Sequence, residues 1–161
     1  MRFVENGFIY VVEGFTNGAR SAIVQRYNPA TDTWTSAGPL LVAKSDSVLG
    51  LLGTTIISAS GLENSGYPSG DNEGYQAATN TWSELTADPI PRNAGCGSGG
   101  GRPALLSRKS TAGQFGNATT VTESYNFSKN AWTTLAASAA GRDHRDTGSS
   151  EQPAILLRRH R

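Results

Sequence analysis

Apolar positions in this chain come in short runs closed by turn residues, and sustained 3.6-residue periodicity is absent, so the pattern predicts strands joined by turns rather than helices. Phe8-Ile9-Tyr10-Val11-Val12 follows Asn6-Gly7, a strong hairpin signal, and Phe3-Val4 before it reads as the tail of a first strand. Val48-Leu49-Gly50-Leu51-Leu52 and Thr55-Ile56-Ile57 flank Gly53 in the same way. Ala22-Ile23-Val24-Gln25-Arg26-Tyr27 and Val121-Thr122-Glu123-Ser124-Tyr125 are expected to be third strands, each running into a turn that ends at a tryptophan. A unit is thus four short strands.

The units repeat. Trp34, Trp82 and Trp132 stand 48 and 50 residues apart, each seven residues after a tyrosine (Tyr27, Tyr75, Tyr125) and ten before a basic residue (Lys44, Arg92, Arg142). A fixed period of this size is the signature of a repeat architecture. Between Tyr and Trp, Pro29 pre-sets φ for a turn, while Asp32, Asn80 and Asn130 are residue types that tolerate the left-handed conformation, so a tight hairpin is expected. The six aromatics are expected to be core, packed in pairs across strands or between units.

These landmarks resemble kelch repeats, whose turn reads Tyr-Asp-Pro-x-Thr-x-x-Trp; Tyr27-Asn28-Pro29-Ala30-Thr31-Asp32-Thr33-Trp34 is a near match with Asn28 in the Asp place. The resemblance covers about 3–142. It implies an all-β fold, a partial β-propeller of about three kelch-like four-stranded blades plus a fragmentary fourth, of the galactose oxidase-like kind. The units are 3–43, 44–91 and 92–141, with 142–161 a fragment of a further blade, and 1–161 forms one kelch-repeat region. The Gly-Gly pair usual at the end of a kelch second strand is replaced by Glu13-Gly14 in the first unit and, at the matching place, by Ala59-Ser60 in the second. In the third, Pro103-Ala104-Leu105-Leu106-Ser107-Arg108-Lys109 replaces the expected strand and lacks its usual chemistry, and its echo Pro153-Ala154-Ile155-Leu156-Leu157-Arg158-Arg159 lies fifty residues on. Because propellers have four to eight blades, the chain reads as a piece of a longer propeller; pairing with another copy or an open stack are the other arrangements.

Charge changes this picture little. The 161 residues carry 14 Lys and Arg against 13 Asp and Glu, a net charge of +1, which gives no sequence-wide field for nucleic acid or anionic membrane. Cys96 is the only cysteine, so no internal disulfide or thiolate cluster can form. No apolar run approaches the roughly 20 residues of a spanning helix, and a turn signal at Asn6-Gly7 precedes any signal-peptide core. We therefore expect neither a membrane nor a nucleic-acid partner.

Candidate chemistry is sparse. His144 and His160 lack a second ligand at metal spacing, with Asp143 and Asp146 too loosely arranged, and no cofactor is expected. The copper oxidases with kelch-type propellers need a Cys-Tyr cross-link, and Cys96 has no tyrosine near it in sequence. Ser149, His144 and Asp146 lack a nucleophile elbow. Gly97-Ser98-Gly99-Gly100-Gly101 lacks the Lys-Ser/Thr ending of a phosphate loop, and Arg158-Arg159-His160-Arg161 reads as a solvated tail. Asn117-Ala118-Thr119 and Asn126-Phe127-Ser128 match the glycosylation pattern, which matters only in a secreted chain.

The connections carry the functional expectation instead. Kelch-like folds grip partners with the loops at blade ends, which vary at little cost to the rigid blade. By that resemblance the contact candidates are the connections 15–20, 62–73 and 114–117, with Phe15, Asn17, Arg20, Tyr67, Asp71 and Phe115 as their residues and the aromatics as anchors. The expected function is non-catalytic binding of a protein or a glycan, with self-association if the propeller is incomplete. The alternatives are a kelch-propeller sugar enzyme, of the oxidase or sialic-acid epimerase type, or a truncated gene product without independent function.

Overall fold

The computed structural model describes residues 2–93, 105–107 and 119–139. Among them the chain forms fifteen strands and one 3₁₀ turn, and no α-helix. In order, these are β1 (Arg2–Glu5), β2 (Phe8–Val12), β3 (Phe15–Thr16), β4 (Ala19–Arg20), β5 (Val24–Asn28), β6 (Thr33–Ala37), β7 (Lys44–Ser45) and β8 (Val48–Leu52). There follow β9 (Thr55–Ala59), β10 (Leu62–Glu63), β11 (Asn72–Gln76), β12 (Thr81–Leu85), β13 (Leu105–Ser107), β14 (Thr122–Asn126) and β15 (Ala131–Leu135). The first sheet has the order β1-β2-β5-β6, the second β8-β9-β11-β12, and the third has β13-β14-β15; every pairing is antiparallel. Two small ribbons, β3 with β4 and β7 with β10, lie outside these sheets.

Turn chemistry sets the registers. Asn6 and Gly7, at φ 50° and 79°, form a two-residue turn with both residues left-handed, whose twist matches that of the strands it joins. At the end of each Tyr-to-Trp connection sits Asp32, Asn80 or Asn130, at φ 52°, 54° and 47°, as their side-chain chemistry predicts. In the third sheet this connection tightens into a 3₁₀ turn, Phe127–Lys129, because the Asn126 Oδ1 accepts from the Lys129 N–H at 3.1 Å. The resulting registers align one cross-strand row in all three sheets: Val4, Ile9, Tyr27 and Trp34; Leu51, Ile56, Tyr75 and Trp82; Leu105, Tyr125 and Trp132. Within each row the Tyr and Trp rings lie 5.0, 5.2 and 5.0 Å apart, centre to centre.

The core lies between sheets. Tyr10, Val12 and Val24 of the first sheet meet Ile56, Tyr75 and Trp82 of the second, with Leu40 closing the seam and Tyr10 set edge-on to Tyr75 at 5.7 Å. Val48, Leu52, Ile57 and Ala59 on the far side of the second sheet take Tyr125 of the third, with Leu85, Phe127 and Trp132 around them. Covered on both faces, β9 is buried along its whole length, whereas β6 is open at the outer edge.

Three expectations need correction. Trp34 is 55% exposed and Tyr27 only partly buried, so the first aromatic pair is not core: the core forms only where one sheet covers the next, and no described sheet covers this face. The structural match of Glu13-Gly14 is Ser60-Gly61, not Ala59-Ser60. The backbone settles it, with φ 57° and 120° in the first pair and 56° and 114° in the second. A side chain at Gly61 would bring its Cβ within 2.8 Å of the Ser45 carbonyl oxygen, which is why glycine persists there. Finally, Leu105–Ser107 does form a strand, since β14 supplies the partner backbone that its composition did not announce.

Candidate functional site

Antiparallel order sends the β2–β5 and β9–β11 connections and the β6–β8 crossover to the same end of the sheets. There the chain builds a surface whose parts are tied to one another. Asn17 and Gly18, at φ 52° and 81°, close the β3–β4 hairpin, so 15–20 is a ribbon rather than an irregular loop. The Arg20 guanidinium lies over the Phe15 ring at 5.2 Å, and its Nε donates to the Ser45 Oγ at 3.1 Å. Its backbone N–H donates to the Asn64 Oδ1 of the next connection at 2.8 Å, so the two connections are fixed to each other across the seam.

The second connection closes on itself. The Gly66 N–H donates to the Glu63 carbonyl at 2.9 Å, the Glu63 N–H to the Tyr67 carbonyl at 3.3 Å, and Leu62 bridges to Pro68. Phe15 at 58% and Tyr67 at 69% exposure therefore project from a pinned scaffold, in the places where the sequence nominated them. Asp71 plays another part: its carboxylate accepts from the Ser69 Oγ at 2.6 Å and its carbonyl from the Ser60 N–H at 2.7 Å. Phe115 and Arg142 lie outside the described residues, as do Cys96, His144, Asp146, Ser149 and His160. Among the described residues no group of three or more His, Cys, Asp or Glu is placed to hold a metal, and no helix is long and apolar enough to cross a membrane.

Beneath this surface the basic landmarks staple sheet to sheet. The Lys44 carbonyl accepts from the Gly14 N–H at 3.3 Å while its Nζ crosses to Glu73 at 3.1 Å; both side chains are buried. Arg92 repeats the arrangement one unit on, its carbonyl taking the Gly61 N–H at 2.8 Å and its guanidinium pairing with buried Glu123. Burial holds the Arg92 guanidinium below its ordinary range, with Asp88, 3.6 Å away, opposing the shift. Glu73 also accepts from the Leu41 and Val42 N–H groups at 2.7 and 3.3 Å. Sequence reasoning missed both carboxylates, although each stands two residues before its tyrosine, where the first unit has Gln25.

Glu13 is a separate buried carboxylate at φ 57°, its Oε1 accepting from the Ser47 N–H at 3.2 Å and its Oε2 having no described partner. Burial raises its carboxyl above the ordinary 4.5, against the lowering effect of the Ser47 bonds. The folded chain therefore keeps this proton where the unfolded chain has lost it, and the stability so gained is complete below the unfolded value and lost as pH rises through the folded one. Glu13→Gln, which cannot ionise, is expected to melt higher than the parent at about pH 7 and to match it at about pH 4. An equal difference at both pH values would contradict this account.

Comparison with known proteins adds the fold. No family model matches the chain, and no curated protein matches it. Among solved structures, one titled "Structure of YjhT" superposes with a TM-score of 0.72 at 12% identity, over 86% of this chain and 52% of that one. The chain thus spans about half the length of that structure, and the likeness is one of all-β architecture.

Proposed function

We propose that this chain is a non-catalytic module of a kelch-type β-propeller, its three sheets being blades, and that it binds a protein or a glycan through the connections at one end. The observation that carries the reading is the pinned display of Phe15 and Tyr67. An exposed aromatic on a rigid support gives up little conformational freedom on binding, which is what makes such rings interface anchors. Arg20, placed over the Phe15 ring, adds a donor-rich cation at the same place. The kelch landmarks in register, and the fold likeness to a longer structure, support a propeller whose remaining blades lie outside this chain.

The test compares the parent chain with Phe15→Ala/Tyr67→Ala on a glycan array and in crosslinking capture from extract. Whatever the parent retains, the double variant is expected to hold at least about tenfold more weakly, since each anchor of this kind contributes about 1 kcal/mol or more. Undiminished retention by a variant with an unchanged circular-dichroism spectrum would rule out binding at this surface.

A further inference from the structure

Both seams share a backbone grip. The Asn80 Oδ1 accepts from the Gly38 N–H at 2.7 Å while the Trp82 Nε1 donates to the Gly38 carbonyl at 2.9 Å. One unit on, the Asn130 Oδ1 accepts from the Thr86 N–H and the Trp132 Nε1 donates to the Thr86 carbonyl, both at 2.8 Å. In each case a residue just past the outer strand of one sheet is held by both its backbone groups. Tyrosine presets the grip, with Tyr75 and Tyr125 donating to the Asn80 and Asn130 Oδ1 atoms at 2.8 and 2.6 Å.

The first sheet carries the same device with nothing described in it. Tyr27 donates to the Asp32 Oδ1 at 2.8 Å, and Trp34 lies against Tyr27 as Trp82 lies against Tyr75. A carboxylate accepts an N–H as readily as an amide oxygen does. The row Val4, Ile9, Tyr27 and Trp34 matches the row that the second sheet buries, yet Val4 and Trp34 are exposed. At the opposite end, Ala136 follows β15 as Gly38 follows β6 and Thr86 follows β12. Leu135, at the place of Leu85, is exposed where Leu85 packs on the core.

We infer that a second copy of this chain docks its third sheet on this face, with the Ala136 backbone held between Asp32 and Trp34. The inference rests on the propeller reading and supplies its missing blades. Among the described residues one chain offers an empty grip at one end and an ungripped residue at the other, so two copies related by the same step satisfy both seams at once. Such a head-to-tail contact closes when the rotation completes a ring. Three described sheets from each of two copies would make six, within the four to eight blades of a propeller. Gln25 stands where the inner seams have Glu73 and Glu123, so the aromatic row and the grip, not a buried ion pair, form the contact.

Sedimentation equilibrium on the full chain tests this. A closed dimer of twice 16.9 kDa is expected. Trp34→Ala, which removes the ring, and Ala136→Pro, which removes the N–H, should each weaken the dimer by about 30-fold per seam, with circular-dichroism spectra unchanged. Mixing the two variants should restore association in part, because the mixed pair keeps one intact seam. A parent that sediments as a monomer, a series that grows without limit, or dimers unaffected by both substitutions would overturn the inference. None of these results alters the Phe15 and Tyr67 binding test, so the two readings fail separately.

Discussion

Arg92→Met is expected to lower the free energy of unfolding by about 3–5 kcal/mol, the range for removing one partner of a buried ion pair. That is a large share of the roughly 5–15 kcal/mol that holds a domain folded. The loss comes less from the missing attraction than from what is left behind: among the described residues, Glu123 stays buried with only a 3.5 Å contact from the Thr134 hydroxyl. Asp88 is better provided for, since the Ser60 Oγ and the Ile90 N–H both donate to it. Arg92→Met/Glu123→Met should therefore recover most of the stability. Lys44→Met should be the milder change, because Glu73 keeps two backbone donors. Urea midpoints of the four proteins decide the matter: a single Arg92 variant losing less than about 1 kcal/mol, as an exposed pair would, contradicts the staple.

Trp82→Ala is expected to lose about 3–5 kcal/mol, while Trp34→Ala, measured on the single chain at low concentration, should lose less than about 1 kcal/mol. The two residues share a motif position and a ring geometry and differ in what covers them. Trp82 is 6% exposed, packs into the first seam and donates to Gly38; Trp34 has solvent on its outer face. Equal losses at the two positions would mean that the Tyr-Trp pair stabilises its own hairpin rather than the contact between sheets.

Much of this architecture is legible in the residues because the governing signals are local. Asn-Gly and the Asx residues before each tryptophan select left-handed turns by their own sterics, and alternation fixes which faces pair, so hairpins, register and period follow from short stretches. The basic landmarks were visible as a period but not as staples. Their function needs Glu73 and Glu123, which sit on the following sheet and approach only when the sheets stack. The candidate surface divides in the same way. Phe15 and Tyr67 could be nominated from polar connections, whereas the tie between them through Arg20 and Asn64 spans 44 residues and leaves no local trace.

By itself, then, the sequence determined most strands of the three sheets, their turns, the repeat and the residues at its landmarks, since each depends on neighbours a few positions away, whereas Leu105–Ser107 became a strand only through its partner β14. Only the tertiary structure decided which of three matching tryptophans is buried, which cation meets which carboxylate, and where a grip stands empty. Burial and electrostatic pairing depend on the distance between sheets, and that distance is a property of the packed molecule rather than of any one segment of its chain.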